Sequence, residues 1–427
     1  MRILMVSEDV PHPRIGGLGR HALALAHELH ARGHEVDFLG NGVHALTDLP
    51  EQAGPGRFIT GITGHEMLFK EKQLGVFLPW RGRLNARPLA RAILRHAPGY
   101  DVVHYHGHLP WVANQLPATL PFTQTRHDQG GDCMLNTRFR PGLPVEQARC
   151  TERDASACAA CATAKPGALQ TAVSQFAVTR RRRDTAAAYD RRPVIFVSDF
   201  LRRAFARVNG GRMQGEVIHN AVDVMALRQA LAIQTEDDGR RWPMEVFGAA
   251  GLSPYKGFAV FLRTLTAKGL PPGMRVTIAG EGEELPQLQS LGLGPQLRLL
   301  GWSSQATVLQ ATRRADVVVV PSVCDESCAT TVIEALALSR NVFALAHGGT
   351  PELACLAGPG GHRLHLFATM PQLVAALCSY SRPEVSVAPD LHGFAGSMQA
   401  MTDAVLAHYE QHFGVSGKTG RLGEGEA

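Results

Sequence analysis

Two glutamates, Glu326 and Glu334, stand eight positions apart in the segment DESCATTVIEALA, directly after the apolar run DVVVVPS (316–322). A short apolar run ending in Pro321 and Ser322 predicts a buried strand, and the spacing beyond it predicts a helix. Glu326 then falls on the loop at the strand's carboxyl end and Glu334 about two turns into the helix. Upstream, GLSPYKGF (251–258) carries Lys256, either a solvated surface lysine or a cationic ligand for an anion. Gly16, Gly17 and Gly19 lie between the first predicted strand and the first helix. Backbone amides there can approach an anionic group closely, although a tight connection would select glycine too. His127 ends a strand in TQTRHDQGG, a position that favours chemistry over packing for an otherwise lone histidine. His104, His106 and His108 alternate in VVHYHGH, which would set them on one sheet face and invites a metal reading.

The elements that must position these residues alternate along the whole chain. RILMV (2–6) precedes HALALAHELHARGHEV, apolar at helical spacing, and strands return at 36–39, 101–107 and 193–199. After the polar stretch QTEDDGRRWP the alternation restarts, with strands at 245–251, 275–282, 297–302, 316–322 and 341–346. Apolar strands alternating with helices predict parallel sheets covered on both faces. The expected organisation is an α/β domain over 1–224, a linker over 225–243 and a second doubly wound domain over 244–395. A helix over 396–413 packs back toward the first domain, and the polar, Gly-rich tail 414–427 is expected to be disordered. A chain of 427 residues exceeds one hydrophobic core, in agreement with two domains. Open α/β sheets bind ligands at the carboxyl ends of their strands, so the site should lie in a cleft between the two.

With 45% hydrophobic and 19% charged residues the composition is that of an ordinary globular protein. Its charge of +5 is mild and points to no nucleic-acid partner. Arg180 to Arg183 form the densest basic run, read either as a solvated face or as a contact with anionic headgroups or a phosphorylated acceptor. Glu8 and Asp9 stand where a signal peptide needs apolar residues, and no run reaches the ~20 residues of a membrane span. The expected location is cytoplasmic, with peripheral contact at the inner face of the membrane left open. Cytosolic cysteines argue against a disulfide framework, and four of the eight cluster loosely at Cys133, Cys150, Cys158 and Cys161. Cys324, Cys328, Cys355 and Cys378 read as small core or near-core residues.

The acid pair, its proline-containing strand end and the downstream HGGTPEL (347–353) resemble the E-x7-E signature of retaining glycosyltransferases of family 4, which have the GT-B fold. The likeness extends over nearly the whole chain, through FVSDFLRRAF (196–205) and VIHNAVD (217–223). It implies two Rossmann-like domains facing across a cleft. It also implies that Glu326 contacts the donor sugar hydroxyls and Glu334 the ribose hydroxyls, since a carboxylate accepts two hydrogen bonds from a vicinal diol. Lys256 would bind the donor diphosphate, with Ser253 in the same loop and Gly348 and Gly349 on the donor side. Gly16 and Gly17 would touch the donor phosphate from the opposite domain. His127 would bond the donor sugar near the reacting carbon, making His127, Glu326 and Lys256 the catalytic set, and His106 would face the acceptor.

Two departures stand out. Gly251 replaces the arginine that the family carries before its Lys-Gly loop, removing one cationic phosphate ligand. The insertion over about 128–165 resembles the His-Asp...Cys...Cys...Cys-x-x-Cys segment of a polysaccharide-assembly subset, whose four thiolates could hold a structural zinc; pairing by disulfide and free thiols are the other readings. The implied reaction moves a sugar from a UDP- or GDP-sugar to a glycan or polyprenyl-diphosphate-linked acceptor in surface polysaccharide synthesis, with retention and without a catalytic metal. A catalytically silent nucleotide-binding partner protein, motivated by Gly251, and transfer to a soluble natural-product acceptor are the alternatives.

Overall fold

The computed structural model describes residues 1–62, 81–131, 133, 135–140, 143–151, 154–162, 167–208, 210–212, 214–232, 242–358, 361–381, 389 and 391–415. Aliphatic runs too short for helices become strands buried on both faces, which is what a parallel sheet under two helical layers requires. The first body has β1 (Arg2–Val6), β2 (Glu35–Asn41), β3 (Phe58–Ile62), β4 (Val102–His106), β5 (Phe122–Arg126), β6 (Val194–Phe196) and β7 (Glu216–Val217), in the order β3-β2-β1-β4-β5-β6-β7. The second has β8 (Met244–Ala249), β9 (Met274–Ala279), β10 (Leu297–Gly301), β11 (Val317–Val320), β12 (Asn341–Leu345) and β13 (Leu364–Phe367), in the order β10-β9-β8-β11-β12-β13. Every pairing in both sheets is parallel.

The helices are α1 (Gly17–Ala31), α2 (Arg81–His96), α3 (Ala155–Ala162), α4 (Ala168–Arg191), α5 (Asp199–Val208), α6 (Val224–Ala232), α7 (Phe258–Lys268), α8 (Leu285–Gln289), α9 (Gln305–Arg314), α10 (Thr330–Ala337), α11 (Met370–Cys378) and α12 (Met398–Phe413). In each sheet the strand order reverses at one place, between β1 and β4 in the first body and between β8 and β11 in the second. Loops leaving the sheet on either side of such a point diverge and open a crevice, so the topology creates the binding place before any side chain is considered.

The expected linker 225–243 differs from the structure in its first half. Residues 224–232 form α6, started by Asp223, whose carboxylate accepts from the Met225 and Ala226 amides (2.8 and 3.2 Å). Leu227 buries its side chain and Arg313 Nη1 holds the Leu231 carbonyl (2.7 Å), so a packed apolar turn outweighs the polar composition that follows. Residues 233–241, and 416–427 of the expected tail, lie outside the described residues.

α12 lies on the first body. Its Tyr409 hydroxyl meets His104 Nδ1 (2.6 Å), and His408 bridges Thr123 (2.9 Å) and Glu216 (2.8 Å). Met398, Met401 and Val405 join the apolar cluster of β1 and α1. The Met398 amide donates to the Val222 carbonyl (2.9 Å), seating the helix start beside the crossover from the first body. No described helix is long and apolar enough to cross a membrane.

Candidate functional site

Loops from both switch points wall one cavity of about 590 Å³. From the first body come Arg14, Gly16, Gly17, Arg20, His108, His127 and Asp128; from the second come Lys256, Glu281, Trp302, Gln305, Glu326 and Glu334. The acid pair, the lysine, the glycine turn and the strand-end histidine therefore meet in one place. Arg14 reaches Glu281 across the cleft (3.3 Å), an ion pair between the two bodies.

The second-body wall is built on two crossing loops. Pro254–Lys256 makes one 3-10 turn and Gly257 follows in a left-handed conformation with φ 75°. A methyl group at Gly257 would collide with the Pro321 carbonyl oxygen, so only glycine lets the Lys256 loop pass against the loop that carries Glu326. Close approach is what pairs the side chains: Lys256 Nζ donates to Glu326 Oε1 (2.6 Å), and Ser322 Oγ donates to the same oxygen (2.5 Å). Burial works against both charges, yet each outweighs it for the other, raising the ammonium above the ordinary lysine value and lowering the carboxyl. Gly257→Ala is expected to cost about 1–3 kcal/mol from backbone strain alone, with a matching fall in the urea midpoint and weaker nucleotide binding. An unchanged midpoint would show that the two loops do not depend on this crossing.

Glu334 is the fifth residue of α10, little more than one turn in, because that helix begins only at Thr330. Burial raises its carboxyl to about 7, and Arg20 and Gln305 oppose the rise. The N-terminus of α10, lined by Ser327 to Thr331, faces the same cavity. Opposite stands the N-terminus of α1, which has Gly16 as its cap, no acidic residue in the first turn and open space around Gly16 and Gly17. Unpaired amides at a helix start favour an anion at this place. Gly19 differs: a methyl there would press on Ile15 and Val10, so it serves the packing of the turn.

His127 lies on the wall and His106 directly behind it, with Nδ1 of His106 3.1 Å from Nε2 of His127. His106 is itself fully buried and off the cavity wall. Burial keeps His21, His106 and His127 below the usual histidine value, so all three are neutral imidazoles. The alternating histidines part company: His104 and His106 sit on one face with ring centroids 4.1 Å apart, while His108 lies past the end of β4 and enters the cavity wall. There His108 Nδ1 meets Asp128 (2.5 Å) and Nε2 meets Asp9 (3.1 Å). Burial opposes its charge, but the two carboxylates prevail and raise its pKa well above the ordinary value. Buried Arg126 donates to the other Asp128 oxygen (3.0 Å) and to the Gly107 carbonyl (2.6 Å). Glu8 accepts from the Tyr105 hydroxyl (2.8 Å) and the His108 amide (2.7 Å).

Ser253, Gly348 and Gly349 are absent from the described cavity wall. Ser253 begins the Lys256 turn, its carbonyl accepting from the Lys256 amide (2.8 Å). Gly348 has φ 63°, and a methyl on it would strike the Glu326 backbone; the Gly349 amide donates to the Glu326 carbonyl (2.7 Å). These glycines buttress the Glu326 loop from behind. The same motif reaches the first body, where the Glu352 carboxylate accepts the Asp199 and Phe200 amides at the start of α5 (2.7 and 2.5 Å). The insertion also crosses over: Gln129 Nε2 donates to the Asp325 carbonyl (2.9 Å) and Arg149 Nε to its carboxylate (2.8 Å), next to Glu326.

In the insertion, Arg182 donates to Cys158 Sγ (3.1 Å), and burial raises the Cys158 and Cys161 thiols, with Cys150 near enough to add to both. Among the described residues the groups whose ligand atoms gather within 4.8 Å are His21, His106 and His127, and Glu216, His408 and His412. Cys133, Cys150, Cys158 and Cys161 do not form such a group, so a zinc ion would have to draw their sulfurs together. Of the other four cysteines, Cys324 and Cys328 are buried and Cys378 is half-buried, whereas Cys355 is exposed and is no core residue.

Comparison with known proteins decides the family. The profile of Glycosyltransferase Family 4 matches residues 15–225, and that of Glycosyl transferases group 1 matches residues 245–378. The chain belongs to the family 4 glycosyltransferases. An uncharacterized glycosyltransferase of Methanocaldococcus jannaschii is 23% identical to this transferase over 376 residues, 83% of this chain and 82% of its own. Anabaena HepE, solved in complex with UDP, superposes with a TM-score of 0.57 at 17% identity, covering 97% of this chain and 96% of its own. Trehalose-6-phosphate synthase OtsA gives a TM-score of 0.62 at 14% identity over 96% and 99%. The fold is GT-B.

Residue types alone did not single out Arg14, Arg20 or the charged state of His108. The arginines flank the glycine turn in RIGGLGR (14–20), a signal that becomes legible once the turn is known to face a cavity. Gly251 lines the cavity from the second body, and the two arginines line it from the first.

Proposed function

We propose that this transferase moves a sugar, with retention of anomeric configuration, from a uridine or guanosine diphosphate sugar to a glycan or lipid-linked acceptor in surface polysaccharide synthesis. The observation that carries the reading is the convergence, in one cavity, of the Lys256–Glu326 pair, Glu334 and the uncapped start of α1. A nucleotide-sugar needs the complement of each: cations and amides for its diphosphate, carboxylates for its hydroxyls. The complexes of HepE with UDP and UDP-glucose support the uridine donor as the first choice.

In the proposed reaction the bond between the anomeric carbon and the diphosphate oxygen breaks, and its electron pair stays on the diphosphate. Lys256, Arg14, Arg20 and the α1 amides stabilise that growing charge where it develops, a role preorganised dipoles and cations fill without a bound metal. The acceptor hydroxyl oxygen bonds to the same face of the carbon, and its proton passes to the departing phosphate oxygen. Neutral His127 donates or accepts a hydrogen bond at the sugar, and anionic Glu326 orients the sugar hydroxyls. No role in turnover is proposed for His106, which steadies His127 from behind.

The test is calorimetric binding and slow hydrolysis of UDP-, GDP-, ADP- and dTDP-sugars, with the anomer of the released sugar read by NMR. One nucleotide class is expected to bind and to release sugar of unchanged configuration first. Binding without release of sugar would leave the silent nucleotide-binding partner protein as the better reading.

A further inference from the structure

A second cavity, of about 330 Å³, lies in the first body among α2, the 3-10 turn Pro110–Gln115 and α4. Arg87, Trp111, Asn114, Arg180, Arg183 and Arg191 are in its wall, with Asp184 as its one carboxylate among the described residues. Positions 180, 183, 184, 187 and 191 repeat every three or four residues, which places this part of the basic run on a single face of α4. Arg180 is committed to Asp184 (3.0 Å), while Arg87, Arg183 and Arg191 face the cavity with no carboxylate partner among the described residues. Like charges collected around one hollow repel one another unless a counter-anion occupies it.

Two polar atoms of wall residues lie buried beneath it. Trp111 is 5% exposed, and its indole Nε1–H has no acceptor among the described residues. Asn114 spends its amide nitrogen on the Asp184 carbonyl (2.6 Å), leaving its buried carbonyl oxygen without a donor. Both atoms are shut off from solvent, so the groups that a ligand in the hollow would meet are the guanidiniums. The ring face of Trp111 is covered by the Arg181 guanidinium, 4.9 Å from the ring centroid.

We infer that this cavity is a phosphate-ester site of the acceptor, with arginines 87, 183 and 191 taking the phosphate oxygens. Guanidinium pairs bind phosphate in two-pronged fashion, which suits this wall better than a lone carboxylate ligand would. The assignment deepens the transfer reaction proposed above and rests on it for the word acceptor; the binding itself does not. The phosphate is carried either by a membrane lipid or by a soluble sugar phosphate.

The experiment measures inorganic pyrophosphate binding to the full chain by calorimetry, with and without excess UDP, in the wild type and in Arg183→Glu/Arg191→Glu. Pyrophosphate binding that UDP does not displace, weakened at least tenfold in the variant, is the expected result. Both positions are exposed, so an unchanged melting temperature serves as the folding control, and Arg87→Glu gives a second, independent variant on another element. UDP-resistant binding of equal strength in all three proteins, or none in the wild type, overturns the site. Co-sedimentation with phosphatidylglycerol but not phosphatidylcholine vesicles, lost in the variant, assigns the phosphate to a lipid; binding of pyrophosphate without sedimentation assigns it to a soluble ester. If UDP fails to bind while the arginine-dependent pyrophosphate site persists, the donor reading falls and this site stands.

Discussion

Lys256→Ala is expected to lower donor turnover by about 10²–10³-fold, the loss seen when one preorganised group facing a developing negative charge is removed. The lysine is held 2.6 Å from Glu326 and is only a quarter exposed, so water replaces it poorly. Its removal acts twice. The leaving diphosphate loses a cation, and Glu326 loses the charge that holds its carboxyl below the ordinary value against burial. The remaining carboxyl therefore titrates higher, and activity in the variant should rise over a pH range where the wild type is already flat. Steady-state kinetics from pH 5 to 8 read both effects. A drop of less than fivefold with an unchanged profile would mean that Arg14, Arg20 and the α1 amides carry the diphosphate alone.

The second large effect concerns Glu334, where stability and binding are expected to move in opposite directions. Burial lifts its carboxyl from 4.5 to about 7 in the folded chain. Below the unfolded value both states are protonated and the stabilising contribution is complete. Between 4.5 and about 7 the folded chain keeps a proton that the unfolded chain releases, so stability is lost as pH rises through that window and is gone above it. Glu334→Gln keeps the group neutral at every pH. The variant should be more stable than the wild type at pH 8 by about 1–3 kcal/mol, with no gain at pH 4, as read from urea midpoints. Nucleotide binding should fall about 10–100-fold, because an amide accepts hydrogen bonds from a diol through only one oxygen. Wild-type affinity should also weaken as pH drops through 7, and the variant's should not. Equal stability of the two proteins at pH 8 would show that Glu334 is solvated rather than held in a costly place for the sake of the ligand.

By itself the sequence determined the alternation of strands and helices, the division into two sheets, and the position of Glu326, Lys256 and His127 at strand carboxyl ends. Central strands such as β1, β4 and β11 are buried on both faces, so their apolar runs are written in consecutive residues. Outer strands were harder to see. β3, β7 and β13 are part-exposed, β7 has only two residues, and each exists because a neighbouring strand pairs with it rather than because of its own composition. The helix α6 inside the expected linker is a different case: VMALRQALA is itself helix-forming and capped by Asp223, and the polar stretch that follows hid it.

Within the site, tertiary structure alone decided which residues face the cavity and which stand behind it. Lys256 and Glu326 are 70 positions apart, Arg14 and Glu281 pair across the cleft, and Asp325 is held by Arg149 of the insertion 176 positions away. No local pattern encodes such pairs, because they arise where two separate sheets turn their switch points toward each other. The same holds for Gly348 and Gly349, conspicuous in sequence yet placed behind the Glu326 loop, and for His106, which shares a sheet face with His104 but lies one layer behind His127. Charge state followed placement: His108 and His127 are close in the fold, yet for His108 two carboxylates outweigh burial, while for His127 burial, helped by His21 and Arg126, outweighs Asp128, so one is held charged and the other neutral.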